Sequence, residues 1–135
     1  MKIYFAGSIR GGRDDIDLYV EIIKYLKNYG EVLTEHISDK KLTSLGEGLD
    51  DRVIHDRDLK WVFSSDVVVA EVTSPSLGIG YEIGRALEKG IKVLCLYRTQ
   101  EGKRLSAMIA GCPNLVLKQY KTIDEVKKII DNYFK

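Results

Sequence analysis

"DVVVAEVTSPSLGIGYEIGRA", residues 66–86, decides the fold. Residues 66–72 are nearly all apolar and β-branched, as expected of a strand buried on both faces. The chain then turns through "TSPSLGIG" and enters a helix. Working outward, the same alternation recurs. "KIYFA" (2–6), "EVLT" (31–34), "IKVLCLY" (91–97) and "NLVLKQ" (114–119) read as further strands. Between the first two, Ile16, Tyr19, Val20, Ile23 and Leu26 recur at helical spacing, with Asp14 or Asp15 placed to cap and Gly30 just past the end. A second helix is expected over 50–64. A last one opens on "TIDE", a capping box from Thr122 to Glu125, and carries Ile123, Val126, Ile129, Ile130 and Tyr133 on one stripe. This β-α alternation implies a single α/β domain over 1–135: a Rossmann-like or flavodoxin-like, doubly wound, mainly parallel five-stranded sheet with helices on both faces. Residues 35–47 and 98–113 depart from the pattern, with a short helix expected around Ser106.

Composition narrows the function classes. The 135 residues suffice for one core, and 44% hydrophobic with 30% charged residues describes a globular chain. A net charge of +1 gives no general attraction to a nucleic-acid polymer or a membrane surface, so anion binding must be local. Cys95 and Cys112 do not form a disulfide framework and read as free thiols. No run approaches the roughly 20 apolar residues of a membrane span, and the short "IYFAGS" after Met1-Lys2 is no signal peptide. A cytoplasmic protein is expected.

In an open α/β sheet the ligand crevice lies beyond the carboxyl ends of the strands. After the first strand comes "GSIRGGR" (7–13), where glycines permit close backbone approach and Ser8 and Arg10 supply a hydroxyl and a forked cation. That outlines a phosphate site, although an ordinary glycine turn with surface arginines fits too. It matches neither G-x-x-x-x-G-K-[ST] nor G-x-G-x-x-G. Tyr4, inside the strand, reads as core, its hydroxyl needing a partner if buried. In helix 50–64, Asp58 projects from the middle of a stripe formed by Ile54, Trp61 and Val62. It suits either proton transfer or a structural pairing. His55 and Asp58 stand at i and i+3, but no third metal ligand occurs at sensible spacing. In the opening stretch a dinucleotide fingerprint needs a glycine at 83, where Ile83 stands. Ser76 and the amides around Leu77 and Gly78 still suit a phosphate, and Glu82 follows one turn on. A surface pair of Glu82 with Arg85 is the alternative.

"YFAGSIRGGR", "VLTEH", "DLKW", "DVVVAEVTSPSLGIGYEIGRA" and "LSAMI" together resemble, over nearly the whole chain, the 2'-deoxynucleoside 5'-monophosphate N-glycosidases (N-hydrolases) of the nucleoside 2-deoxyribosyltransferase family. The resemblance implies cleavage of a deoxynucleoside monophosphate to free base and 2-deoxyribose 5-phosphate. It makes Glu82 the nucleophile, Asp58 its assisting carboxylate and Tyr4 a catalytic tyrosine near the sugar. Ser8, Ile9, Arg10, Gly11, Ser76 and Gly78 would hold the nucleotide and its phosphate. Ser106 would complete the phosphate site from the neighbouring subunit, making a homodimer with a shared active site. Glycoside cleavage passes through an oxocarbenium-like state that paired carboxylates can serve without a metal or cofactor. For Asp58, protonation of the leaving base is the role expected here; positioning the sugar or activating water remain open. The stretches 38–50 and 98–104 are where base preference is least defined. Two alternatives stand: a deoxyribosyltransferase that passes the sugar to a second base, and a non-catalytic module that only binds the monophosphate. The phosphate apparatus argues against the first, and two carboxylates near a bound phosphate argue against the second.

Overall fold

The computed structural model describes residues 1–8, 15–33 and 50–135. Thr34, the 35–47 stretch and the residues from Ile9 to Asp14 lie outside them. In chain order the elements are β1 (Lys2–Ala6), α1 (Ile16–Leu26), β2 (Glu31–Leu33), α2 (Asp51–Ser64), β3 (Val67–Glu71), α3 (Leu77–Glu88), β4 (Lys92–Arg98), α4 (Ala107–Ala110), β5 (Val116–Tyr120) and α5 (Ile123–Phe134). The five strands form one sheet in the order β2-β1-β3-β4-β5. Every neighbouring pair is parallel, with Tyr4 opposite Val68 and Ala70 opposite Cys95. The expected doubly wound sheet is thus present, and all of it is parallel.

Each face of the sheet carries its own core. Ile3, Phe5, Val67, Val69, Leu94 and Leu96 pack under α1 and α5. Tyr4, Ala6, Val68, Ala70, Val93 and Cys95 pack with Val62 of α2 and Ile79, Ile83 and Ala86 of α3. Central strands buried on both sides have no polar face to show, which is why β3 is apolar from Val67 to Ala70.

Local signals were decoded unevenly. Thr122 caps α5, its hydroxyl accepting from the Glu125 amide at 3.3 Å, while Glu125 reaches back to the Lys121 amide at 3.1 Å, one residue beyond the usual capping-box partner. Asp15 stands at the start of α1 but makes no side-chain cap. Its carboxylate is taken by Arg98, whose Nη2 lies 2.9 and 3.0 Å from the two oxygens. A charge-assisted pair is stronger than a bond to a neutral amide, so the distant arginine wins the contest. Gly30 is not a helix cap: α1 stops at Leu26, and a Cβ on Gly30 would fall 2.4 Å from the Met1 carbonyl oxygen. That carbonyl accepts from the Glu31 amide at 2.9 Å, which starts the β1–β2 pairing.

Candidate active site

The order β2-β1-β3-β4-β5 reverses direction between β1 and β3, the kind of switch point beside which open α/β sheets place their ligands. Tyr4 of β1 and Glu82 of α3, the helix that follows β3, meet there. The Tyr4 hydroxyl donates to Glu82 Oε2 at 2.5 Å. Tyr4 is 3% exposed, and this bond is the partner that a buried phenol requires. Burial is the main reason its proton is held far more firmly than that of a free tyrosine; the negative charges of Glu82 and Asp58 add to it, while Arg57 opposes.

Glu82 is half-buried, and its carboxyl is pushed up from 4.5 to about 7. Burial is the largest cause. The Tyr4 hydrogen bond pulls the other way, the charge of Asp58 raises it further, and Arg57 lowers it. The alternative of a surface pair with Arg85 is not what forms. Arg85 donates instead to the Tyr81 hydroxyl, which also contacts His55 Nε2. Ring N to carboxylate, His55 Nδ1 lies 2.9 Å from Asp56. Among the described residues no three His, Cys, Asp or Glu side chains gather as a metal site would require.

Asp58 lies close enough to act electrostatically on both Tyr4 and Glu82. The buried line of α2 runs through Leu59 and Val62, whereas Ile54 and Trp61 are only partly covered, so Asp58 sits beside that line rather than in the middle of a stripe. Its side chain is 22% exposed, and Oδ1 accepts from both Nε and Nη2 of Arg57, at 3.0 and 2.8 Å.

The proposed phosphate residues are placed in part. Ser76 is the N-cap of α3, its hydroxyl accepting from the Ile79 amide at 3.3 Å. Helix geometry leaves first-turn amides without intrahelical acceptors, and among the described residues a Cβ on Gly78 would meet Ser76 Oγ alone, at 3.8 Å. Ser8, at the end of β1, is buried, and its amide donates to the Tyr19 hydroxyl at 3.3 Å. Gly7 must be glycine here, because a Cβ would stand 2.8 Å from the Tyr19 ring. Ile9, Arg10 and Gly11 lie outside the described residues. Ser106 caps the short α4, accepting from the Met108 amide at 3.2 Å. It shares with Ser76 a cleft of about 540 Å³ that neither Tyr4 nor Glu82 lines. Leu77 and Met108, on the walls of that cleft, are 97% and 82% exposed.

Three residues escaped the sequence reading. Glu71 is completely buried at the carboxyl end of β3. Its Oε1 accepts from the Thr73 amide and its Oε2 from the Thr73 hydroxyl, both at 2.8 Å, and Oε2 also accepts from the Tyr120 hydroxyl. Thr73 Oγ1 in turn accepts from the Arg98 amide at 2.9 Å. Burial drives the Glu71 carboxyl above its ordinary range, and these hydrogen bonds hold it back. The signal was a lone charge in an otherwise apolar strand. Arg98 and Arg57 are the other two, and neither has a local marker.

A parallel, doubly wound sheet carries a tyrosine-bound glutamate at its switch point, with a second carboxylate near enough to act on it. The chain belongs to the nucleoside 2-deoxyribosyltransferase family, whose model matches residues 3–125. It is 59% identical over 138 residues to a Nematostella vectensis protein provisionally named 2'-deoxynucleoside 5'-phosphate N-hydrolase 1, covering 98% of this chain and 93% of that one. It is 54% identical over 138 residues to the 5-hydroxymethyl-dUMP N-hydrolase of Danio rerio, covering 99% and 96%. Among solved structures, a CMP N-glycosidase of Clostridium botulinum superposes with a TM-score of 0.70 over 98% of this chain and 99% of its own; at 18% identity this bears on the fold alone.

Proposed function

We propose that this chain, as one domain over 1–135, hydrolyses the N-glycosidic bond of 2'-deoxynucleoside 5'-monophosphates, releasing a free base and 2-deoxyribose 5-phosphate. The observation that carries the proposal is the half-buried Glu82, hydrogen-bonded by Tyr4 and lying beside Asp58 at the switch point. The names of the relatives at 54% and 59% identity point the same way. Ionised Glu82 attacks the anomeric carbon as the bond to the base breaks, and the base departs with the bonding pair and takes up a proton. Water then adds to the anomeric carbon, and Glu82 is released as carboxylate, the two-step course of a retaining glycosidase. Asp58 assists as an anion or proton carrier near the positive charge that develops on the sugar. Tyr4 fixes the nucleophile through its hydrogen bond. A 2'-hydroxyl withdraws electrons and slows oxocarbenium formation, which favours deoxyribose.

Ser8, Ile9, Arg10, Gly11, Ser76 and Gly78 are proposed to seat the 5'-phosphate, with Ser106 supplied by a second copy in a homodimer. The exposed Leu77 and Met108 beside Ser76 and Ser106 are the apolar surface such a contact would cover. No metal or cofactor is required by this chemistry, and a cytoplasmic location is proposed. The test is chromatography of the protein with dGMP and, separately, with 5-hydroxymethyl-dUMP, each in the presence of free adenine. Free base and 2-deoxyribose 5-phosphate are expected. Appearance of dAMP at the rate of base release would make the protein a transferase; binding of the monophosphate without base release would make it a binding module.

A further inference from the structure

Among the described residues, the hydrolytic reading leaves one charged group at the site without a task. Arg57 precedes Asp58 on α2, and adjacent residues on a helix point about 100° apart. Its side chain nevertheless folds back so that Nε and Nη2 converge on the same oxygen, Asp58 Oδ1. The guanidinium lies over the Trp61 ring, 4.9 Å from its centroid, and the side chain is 24% exposed. A planar fork stacked on an indole is held in place in a way that a freely waving surface arginine is not.

We propose that Arg57 is a positioning residue of this site: clamped on Trp61, it holds Asp58 as an anion in a fixed place beside Glu82, so that one carboxylate keeps its charge while the other trades its proton. The inference rests on the proposed hydrolase reading and deepens it. Two carboxylates that face one another resist simultaneous ionisation, and a nucleophile must be ionised to attack. Among the described residues, the groups that act on Glu82 are Tyr4 from β1 and Asp58 and Arg57 from α2. Of these, Tyr4 contributes a hydrogen bond, Asp58 a repulsion and Arg57 a positive charge that offsets the repulsion. Asp58 then acts by its negative charge on the developing oxocarbenium, and the departing base takes its proton from solvent water.

The test compares wild type, Arg57→Gln and Arg57→Lys by two measurements. One is the pH profile of kcat/KM for base release from 5-hydroxymethyl-dUMP and dGMP; the other is a carbon-13 NMR titration of side-chain carboxyls in the free protein. Arg57→Gln should move both the acid limb of the profile and the Glu82 titration upward by about one pH unit. Arg57→Lys, which keeps the charge but not the fork, should return the limb toward the wild-type position while kcat stays low. A Gln variant that loses rate equally at every pH, with an unmoved Glu82 titration, would overturn the proposal. So would one that does not fold, since Arg57 would then serve the fold. If the wild type releases no base from either nucleotide, the hydrolase reading fails, and the carboxyl titration still decides the role of Arg57.

Discussion

Glu82→Gln should make the folded protein more stable, and only where the wild-type carboxyl would be charged. Glu82 holds its proton to about pH 7 in the folded chain, against 4.5 for an ordinary glutamate. Between those values the native state binds more protons than the unfolded one, so stability falls as pH rises. The gap of about 2.5 units, at about 1.4 kcal/mol per unit, is about 3 kcal/mol of stability that the wild type lacks above pH 7. Solvent reaching the half-buried side chain reduces this to about 2 kcal/mol. Glutamine keeps an oxygen to accept from Tyr4 and carries no charge, so it should recover that amount, roughly 5 to 10 °C in Tm for a chain of this size. The assay is urea unfolding of both proteins at about pH 8 and about pH 4, at one protein concentration because assembly would otherwise enter the comparison. The difference should be near 2–3 kcal/mol at the higher pH and should shrink toward zero at the lower. Equal stability at about pH 8, or a gain of the same size at both values, would refute the idea that burial of a charged Glu82 is what the fold tolerates for the reaction. The same variant should lose base release altogether.

Tyr4→Phe removes a hydrogen bond that favours the ionised carboxylate, so the acid limb of kcat/KM should move upward, with roughly 10- to 100-fold less activity at neutral pH; a pH-rate profile reads it. Glu71→Ala leaves Thr73 and Tyr120 without their buried acceptor and should cost roughly 2–4 kcal/mol in urea unfolding. Gly7→Ala forces a methyl group against the Tyr19 ring, which Phe5 packs edge-on at 5.7 Å between centroids. A loss of about 1–3 kcal/mol is expected, together with faster hydrogen exchange at the Ser8 amide.

The five strands and the flanking helices were legible because fully buried strands and one-sided helices write their environment directly into residue spacing. Tyr4 and Glu82 stand 78 positions apart, so no spacing could pair them. The elementary rule that a buried phenol needs a partner asked the right question of Tyr4, and Glu82 stood out separately as a carboxylate one turn into the helix after β3. Asp15 misled because its sequence context announces a cap while Arg98, 83 residues away, offers a stronger bond. Arg57 was hidden for a geometric reason: neighbours on a helix point about 100° apart, and its contact with Asp58 arises because the long side chain doubles back. Glu71 was overlooked because a strand covered on both faces has no polar side on which a charge would look natural or unnatural. Its solitude among valines and alanine was the clue.

β3 turns Val68, Ala70 and Val72 toward α2 and α3, and Glu71 toward Tyr120 and the α1–α5 side. The proposed chemistry is therefore built on one side of the sheet, while the tie between Asp15, Arg98, Thr73 and Glu71 that fixes the loop before α3 is built on the other. This separation makes the scaffold suited to redesign. A library that varies α2 and α3 around Asp58 and Glu82 leaves the tether of the Ser76-bearing loop intact, and a screen for foldability can be run apart from a screen for rate.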